Sequence, residues 1–205
     1  AKEMQQARDE QRVGNIPYER SLPVNTDWDL GIGAAMAIWF SQTLKSGEVR
    51  LIDYYEASGE GLPHYAQMLQ AKGYVYGQHW APHDIQVREL ASGRSRLEAA
   101  ASLGIKFQIV PQIGLEDGIH AVRLFLPKCW FHSEKTKAGV EALSHYRRDY
   151  NSRINEFKAT PVHDWSSHSA DAFRGLAVRH KQPVEKKKQI VVRRGGVSEP
   201  GAWMR

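Results

Sequence analysis

The chain has 205 residues, enough for one generous domain, and its 41% hydrophobic content with six Trp and eight Tyr excludes wholesale disorder. A single cysteine, Cys129, excludes an internal disulfide framework and a multi-cysteine zinc site, and suits a reducing compartment. The formal net charge of +5 is uneven: residues 181–205 carry Lys181, Lys186, Lys187, Lys188, Arg193, Arg194 and Arg205 against two glutamates, a tail suited to a polyanion, an acidic partner or plain solvation.

Residues 1–20 are charged and Gln-rich, and read as a linker or a helical lead-in rather than a signal peptide. No apolar run in the sequence reaches membrane-spanning length. The globular part runs from about residue 21 to residue 180, and 181–205 form a flexible basic tail. "LPVNTDWDLG" reads as a strand ended by glycines, "AMAIWFSQTL" as a second and "VRLIDYYEAS" as a third, joined by short turns into an antiparallel meander. "GLPHYAQMLQAKG" has helical spacing and a stop at Gly73. "YVYGQHWAP" is strand-like, "SRLEAAASLG" a short helix with Gly104 past its end, and "IKFQIVP" another strand. "LEDGIHAVRLFL" and "TKAGVEALSHYRRDYN" are amphipathic and helical, and "SADAFRGLAVRH" closes the domain as a helix with Ser167 or Ser169 as its cap. A hairpin-joined trio followed by strands alternating with helices predicts an α/β fold, a mixed sheet of about five core strands flanked by helices.

In such a sheet, sites gather at strand ends. Asp29 falls late in the first strand, Asp84 just after the fourth, and Asp171 in the first turn of the last helix. Carboxylates brought together repel, and a hard divalent cation relieves that repulsion. Aspartate is also a common cap and turn residue, so placement alone leaves both readings open. The same holds for His163 and His168, which flank Asp164 in "HDWSSH" and suit either loop hydrogen bonds or a supporting role at a metal site. "HSADAFR" lacks the spacing of an H-E-x-x-H zinc helix, "GIG" lacks the third glycine of a dinucleotide fingerprint, and no P-loop occurs. Cys129 stands among aromatic residues and reads as core rather than nucleophile.

"TDWDLGIG…AIWFSQ", "GEVRLIDYYEASGEGLPHYAQML", "HWAPHDI", "SRLEAAASLGI" and "PVHDWSSHSADAFRGLA" together resemble the C-terminal nuclease domain of tailed-bacteriophage terminase large subunits. The likeness covers roughly residues 22–180, with the motifs in family order. It implies an RNase H-like (RuvC/integrase-like) fold and endonucleolytic cutting of concatemeric viral double-stranded DNA during genome packaging. Carried over position by position, Asp29, Asp84 and Asp171 match the acids that hold Mg²⁺ or Mn²⁺, two ions in the active complex, with His163, Asp164 and His168 behind them. Arg88, Arg94, Arg96, Lys106 and Lys128 are candidates for holding the DNA backbone. Many relatives carry another acid shortly after the "DLG" turn, where this chain has Ala34 and Ala35. The resemblance also implies an N-terminal packaging ATPase domain in the full-length protein, with residues 1–20 as the linker from it. Its other implied partners are the portal protein, docked by the basic tail, and the small terminase subunit, in the host cell cytoplasm.

Two alternatives accompany this reading. A RuvC-like resolvase or RNase H would use the same acids on other substrates. A DNA- and portal-docking module with weak or silent cutting would not need them for its main task.

Overall fold

The computed structural model describes residues 2–31, 35–88, 93–151 and 155–181. Its centre is a seven-stranded mixed sheet. Three long strands, β2 (Val24–Leu30), β3 (Ala35–Thr43) and β4 (Val49–Ser58), form the expected antiparallel meander, with Asp29 opposite Ala37 in the register. Beyond β2, strands β5 (Tyr76–Ala81) and β6 (Phe107–Ile109) add in parallel. Beyond β4, strands β7 (Cys129–His132) and β1 (Val13–Gly14) also add in parallel, so the order is β1-β7-β4-β3-β2-β5-β6. The five predicted strands are the central and β6-side part of this sheet; the other two extend its opposite edge.

Helices cover both faces, which is why β3 is buried along nearly its whole length and reads as the unbroken apolar run "AIWF". One face packs Trp28, Ile38, Phe40 and Ile52 against α2 (Leu62–Lys72) and α3 (Arg96–Ser102). Alternate residues turn the other way. Trp39, Leu51 and Phe131 pack against α4 (Leu115–Phe125), α5 (Lys137–His145) and α6 (Ser167–Lys181). Helix α2 stops where expected, at Gly73, whose left-handed backbone (φ 64°) suits glycine. Helix α3 opens on a capping box between Ser95 and Glu98.

The helical alternative for the lead-in is the one observed. Helix α1 (Lys2–Asp9) buries Met4 and Ala7 in the core, and Arg12 donates to the carbonyls of Leu126 and Cys129 beside β7. Residues 2–14 are thus packed into the domain. The expected helix through Asn151 is shorter than predicted: α5 ends at His145, and β8 (Arg148–Asn151) pairs with β9 (Glu156–Pro161) in a separate hairpin. Val140, Ala142 and Leu143 bury the helix's apolar face, but the following Arg147, Arg148 and Asp149 offer nothing to continue it. Helix α6 begins at Ser167, while the Ser169 hydroxyl donates to the Gly139 carbonyl instead of capping. Buried Cys129 is core, as expected, and burial pushes its thiol pKa well up. No helix among the described residues is long and apolar enough to cross a membrane. The tail after Lys181, and Ala34, lie outside the described residues.

Candidate metal centre

Strand alternation decides where Asp29 points. Trp28 faces the α2 side, so its neighbours Asp27 and Asp29 face α6. Three ties hold α6 across that face. Arg179 grips buried Asp27 through two bonds of 2.6 and 2.9 Å, Trp39 Nε1 donates to the Ser169 carbonyl at 3.0 Å, and His168 Nδ1 lies 3.0 Å from Asp29 Oδ2.

Asp84 arrives from β5. The strand ends at Ala81, Pro82 breaks the ladder, and a single 3₁₀ turn (His83–Gln86) follows, pinned by buried Ile85, with Asp84 left exposed. Asp171 arrives from α6, whose Ala172, Phe173 and Leu176 are buried while Asp171, Arg174, Gly175 and Val178 line a cleft at helical spacing. Asp29, Asp84 and Asp171 all line this one cleft, of about 340 Å³, together with Trp28 and Gln112.

The electrostatics show that the three acids share it. Burial pushes the Asp29 pKa up to about 6; the charges of Asp171 and Asp84 add to the rise, and the His168 hydrogen bond partly offsets it. Asp171 is likewise raised by burial, against the lowering influence of Arg174, His163 and His168. Arg174 Nη1 sits 2.8 Å from Asp171 Oδ1. Among the described residues, no three His, Cys, Asp or Glu side chains are already gathered into a metal cage. A wide cleft in which three carboxylates converge fits a hard divalent cation that keeps several waters and uses few protein ligands.

The remaining predicted residues separate. Asp164 is committed to its loop: it accepts from the Ser166 amide at 2.9 Å and hydroxyl at 2.6 Å and pairs with Arg147, bonds that lower its pKa. His163 contacts the Ser167 hydroxyl and packs edge-on against His168. Of the basic candidates, Arg94 and Arg96 line a neighbouring cleft with Gly31, and Arg96 donates to the Leu30 carbonyl just past Asp29. Arg88 and Lys106 are exposed and do not line the acidic cleft, and Lys128 lies near His180 at the far end of α6. Sequence reasoning passed over Arg174; its spacing three residues after Asp171 on a helix was the available signal.

No protein-family model matches the chain, and no curated protein does. Solved structures do. The large terminase of a thermophilic bacteriophage superposes with a TM-score of 0.59 at 17% identity, over 80% of this chain and 41% of that one. The P22 large terminase nuclease domain gives 0.60 at 15%, over 83% and 88%. The nuclease domain of the SPP1 large terminase, determined with bound Mn, gives 0.56 at 14%, over 75% and 84%. The chain therefore spans about two fifths of the thermophilic phage protein and most of the isolated nuclease domains. What these structures share with it is the fold, an RNase H-like mixed sheet flanked by helices, as found in phage large-terminase nuclease domains.

Proposed function

We propose that the chain is a divalent-metal-dependent DNA endonuclease that cuts concatemeric double-stranded viral DNA during genome packaging. One observation carries this reading. Asp29, Asp84 and Asp171, from stretches far apart in sequence, line one cleft in a fold shared with phage terminase nuclease domains, one of which holds Mn. Asp29, whose carboxylate feels the charges of both Asp171 and Asp84, would hold the cations together with those two acids. Bound Mg²⁺ or Mn²⁺ would supply charge stabilisation at the phosphate and a nucleophilic water at neutral pH. The protein's own share is positioning. His168 fixes the Asp29 carboxylate, and Arg94 and Arg96 stand beside the end of β2 where a DNA backbone would pass. In this reading residues 1–20 follow an ATPase domain of the same protein, the tail meets the portal, and the small terminase subunit joins the assembly. The likeness to the longer large terminase of the thermophilic phage, solved also in complex with ADP, supports the first of these.

A second reading, a docking module that cuts weakly alone, is favoured by the Arg174–Asp171 pair and by acids that line the cleft without forming a cage. Incubating the full chain with supercoiled plasmid in Mg²⁺, Mn²⁺ or EDTA, beside Asp171→Asn, separates the two. Metal-dependent cutting lost in the variant supports the nuclease; no cutting by the wild type in either metal supports the docking module.

A further inference from the structure

Helix α4 carries a glycine in its interior, "LEDGIHAV", where alanine would favour the helix. The reason lies across the interface. A Cβ on Gly118 would stand 2.5 Å from Cδ and 3.0 Å from Cγ of Arg174, so the missing side chain is the notch through which the arginine stem passes. The guanidinium emerging from that notch pairs with Asp171 and lies beside Tyr146. Its side chain keeps 29% of its exposure and lines the acidic cleft, so it is within reach of a polyanion placed there. A cation seated this way occupies a carboxylate that the metal reading requires.

We propose that Arg174 couples metal to DNA in the cleft. It neutralises Asp171 until a DNA phosphate arrives, then passes to that phosphate and frees the carboxylate for the cation. The inference rests on the metal-site reading given above. Guanidinium suits the exchange, because its planar fork pairs as well with phosphate as with carboxylate. Thermodynamic reciprocity then requires DNA to tighten metal binding and metal to tighten DNA binding.

Calorimetric Mn²⁺ titration of the full chain, with and without a short phosphorothioate duplex, tests this without measuring cleavage. Removing the competing charge in Arg174→Gln should tighten duplex-free Mn²⁺ binding by about fivefold, the worth of a partly exposed ion pair. The strengthening contributed by the duplex should shrink by a similar factor, and the salt dependence of DNA binding should lose about one unit of slope. Gly118→Ala leaves the charge but closes the notch, so it should shift duplex-free Mn²⁺ binding in the same direction. Wild-type Mn²⁺ binding and an undiminished duplex effect in Arg174→Gln would overturn the coupling alone, as would wild-type behaviour of Gly118→Ala. A wild-type chain that binds no Mn²⁺ with or without the duplex would overturn the metal site itself.

Discussion

His168, on the last helix, holds Asp29, near the end of the first long strand, at 3.0 Å across 139 residues of sequence. That bond, with the Arg179–Asp27 pair further along, sets the depth and rotation of α6 over β2 and hence where Asp171 enters the cleft.

Asp29 carries the electrostatic cost of the arrangement. Its pKa is raised in the folded state from 3.8 to about 6. The stability this group contributes is therefore present below about pH 4 and lost as pH rises through about 6. In EDTA at neutral pH, Asp29→Asn should be more stable than wild type, by on the order of 1–3 kcal/mol, and the gain should vanish in acid. Mn²⁺ should raise the melting temperature of the wild type and not of the variant. Thermal melts at both pH values check this; a variant less stable at neutral pH rules out the burden assigned to Asp29.

Arg179 and Asp27 are 8% and 1% exposed, so the pair is almost wholly desolvated. Arg179→Met leaves a buried carboxylate with no cation and should cost about 3–5 kcal/mol in chemical denaturation. Adding Asp27→Asn should restore much of the loss. A single-variant cost below about 1 kcal/mol would mean the pair does not anchor α6.

Gly139 in α5 is a second close approach. An added Cβ would meet two ring carbons of Trp39 at 2.5 and 2.6 Å and one of Tyr54 at 2.9 Å. Trp39 is fully buried and pinned by its bond to Ser169, so it cannot yield as a flexible side chain would. Overpacking should win over helix propensity, and Gly139→Ala should lose about 1–3 kcal/mol. Denaturation midpoints decide the sign; a stabilised variant would show that the sheet–α5 spacing is soft.

Asp164 and Asp84 should behave differently despite both being carboxylates in short turns. Asp164→Ala removes the bonds to Ser166 and should cost about 1 kcal/mol of stability while Mn²⁺ still binds. Asp84→Asn should leave stability near wild type and weaken Mn²⁺ binding by roughly tenfold or more. Calorimetry on both variants tests the division of labour, and the reverse pattern would exchange their roles.

The long elements were readable because burial imposes a period on enough residues to see it. Strands β2 to β4 and helices α2, α4 and α6 all show this. Strand β1 has two residues and β7 four, too few for alternation to register, and β1 is recognised by a partner more than a hundred positions away. Strand β8 hid inside an apparent continuation of α5, and the exposed Tyr150–Phe157 pair that joins it to β9 comes together only once the chain has turned. At the site, the three acids could be placed at element ends, but placement did not show that they share a cleft; the motif resemblance supplied that expectation. For Arg174 the sequence offered only its spacing from Asp171; the notch that seats it lies in Gly118, on another helix.

Manganese anomalous scattering from crystals of the full chain grown with Mn²⁺ would locate the cation directly. A peak within bonding distance of Asp29, with Asp84 or Asp171 beside it, is the expected result. Density for Mn²⁺ elsewhere, with these three carboxylates bearing none, would remove the metal centre and the nuclease built on it.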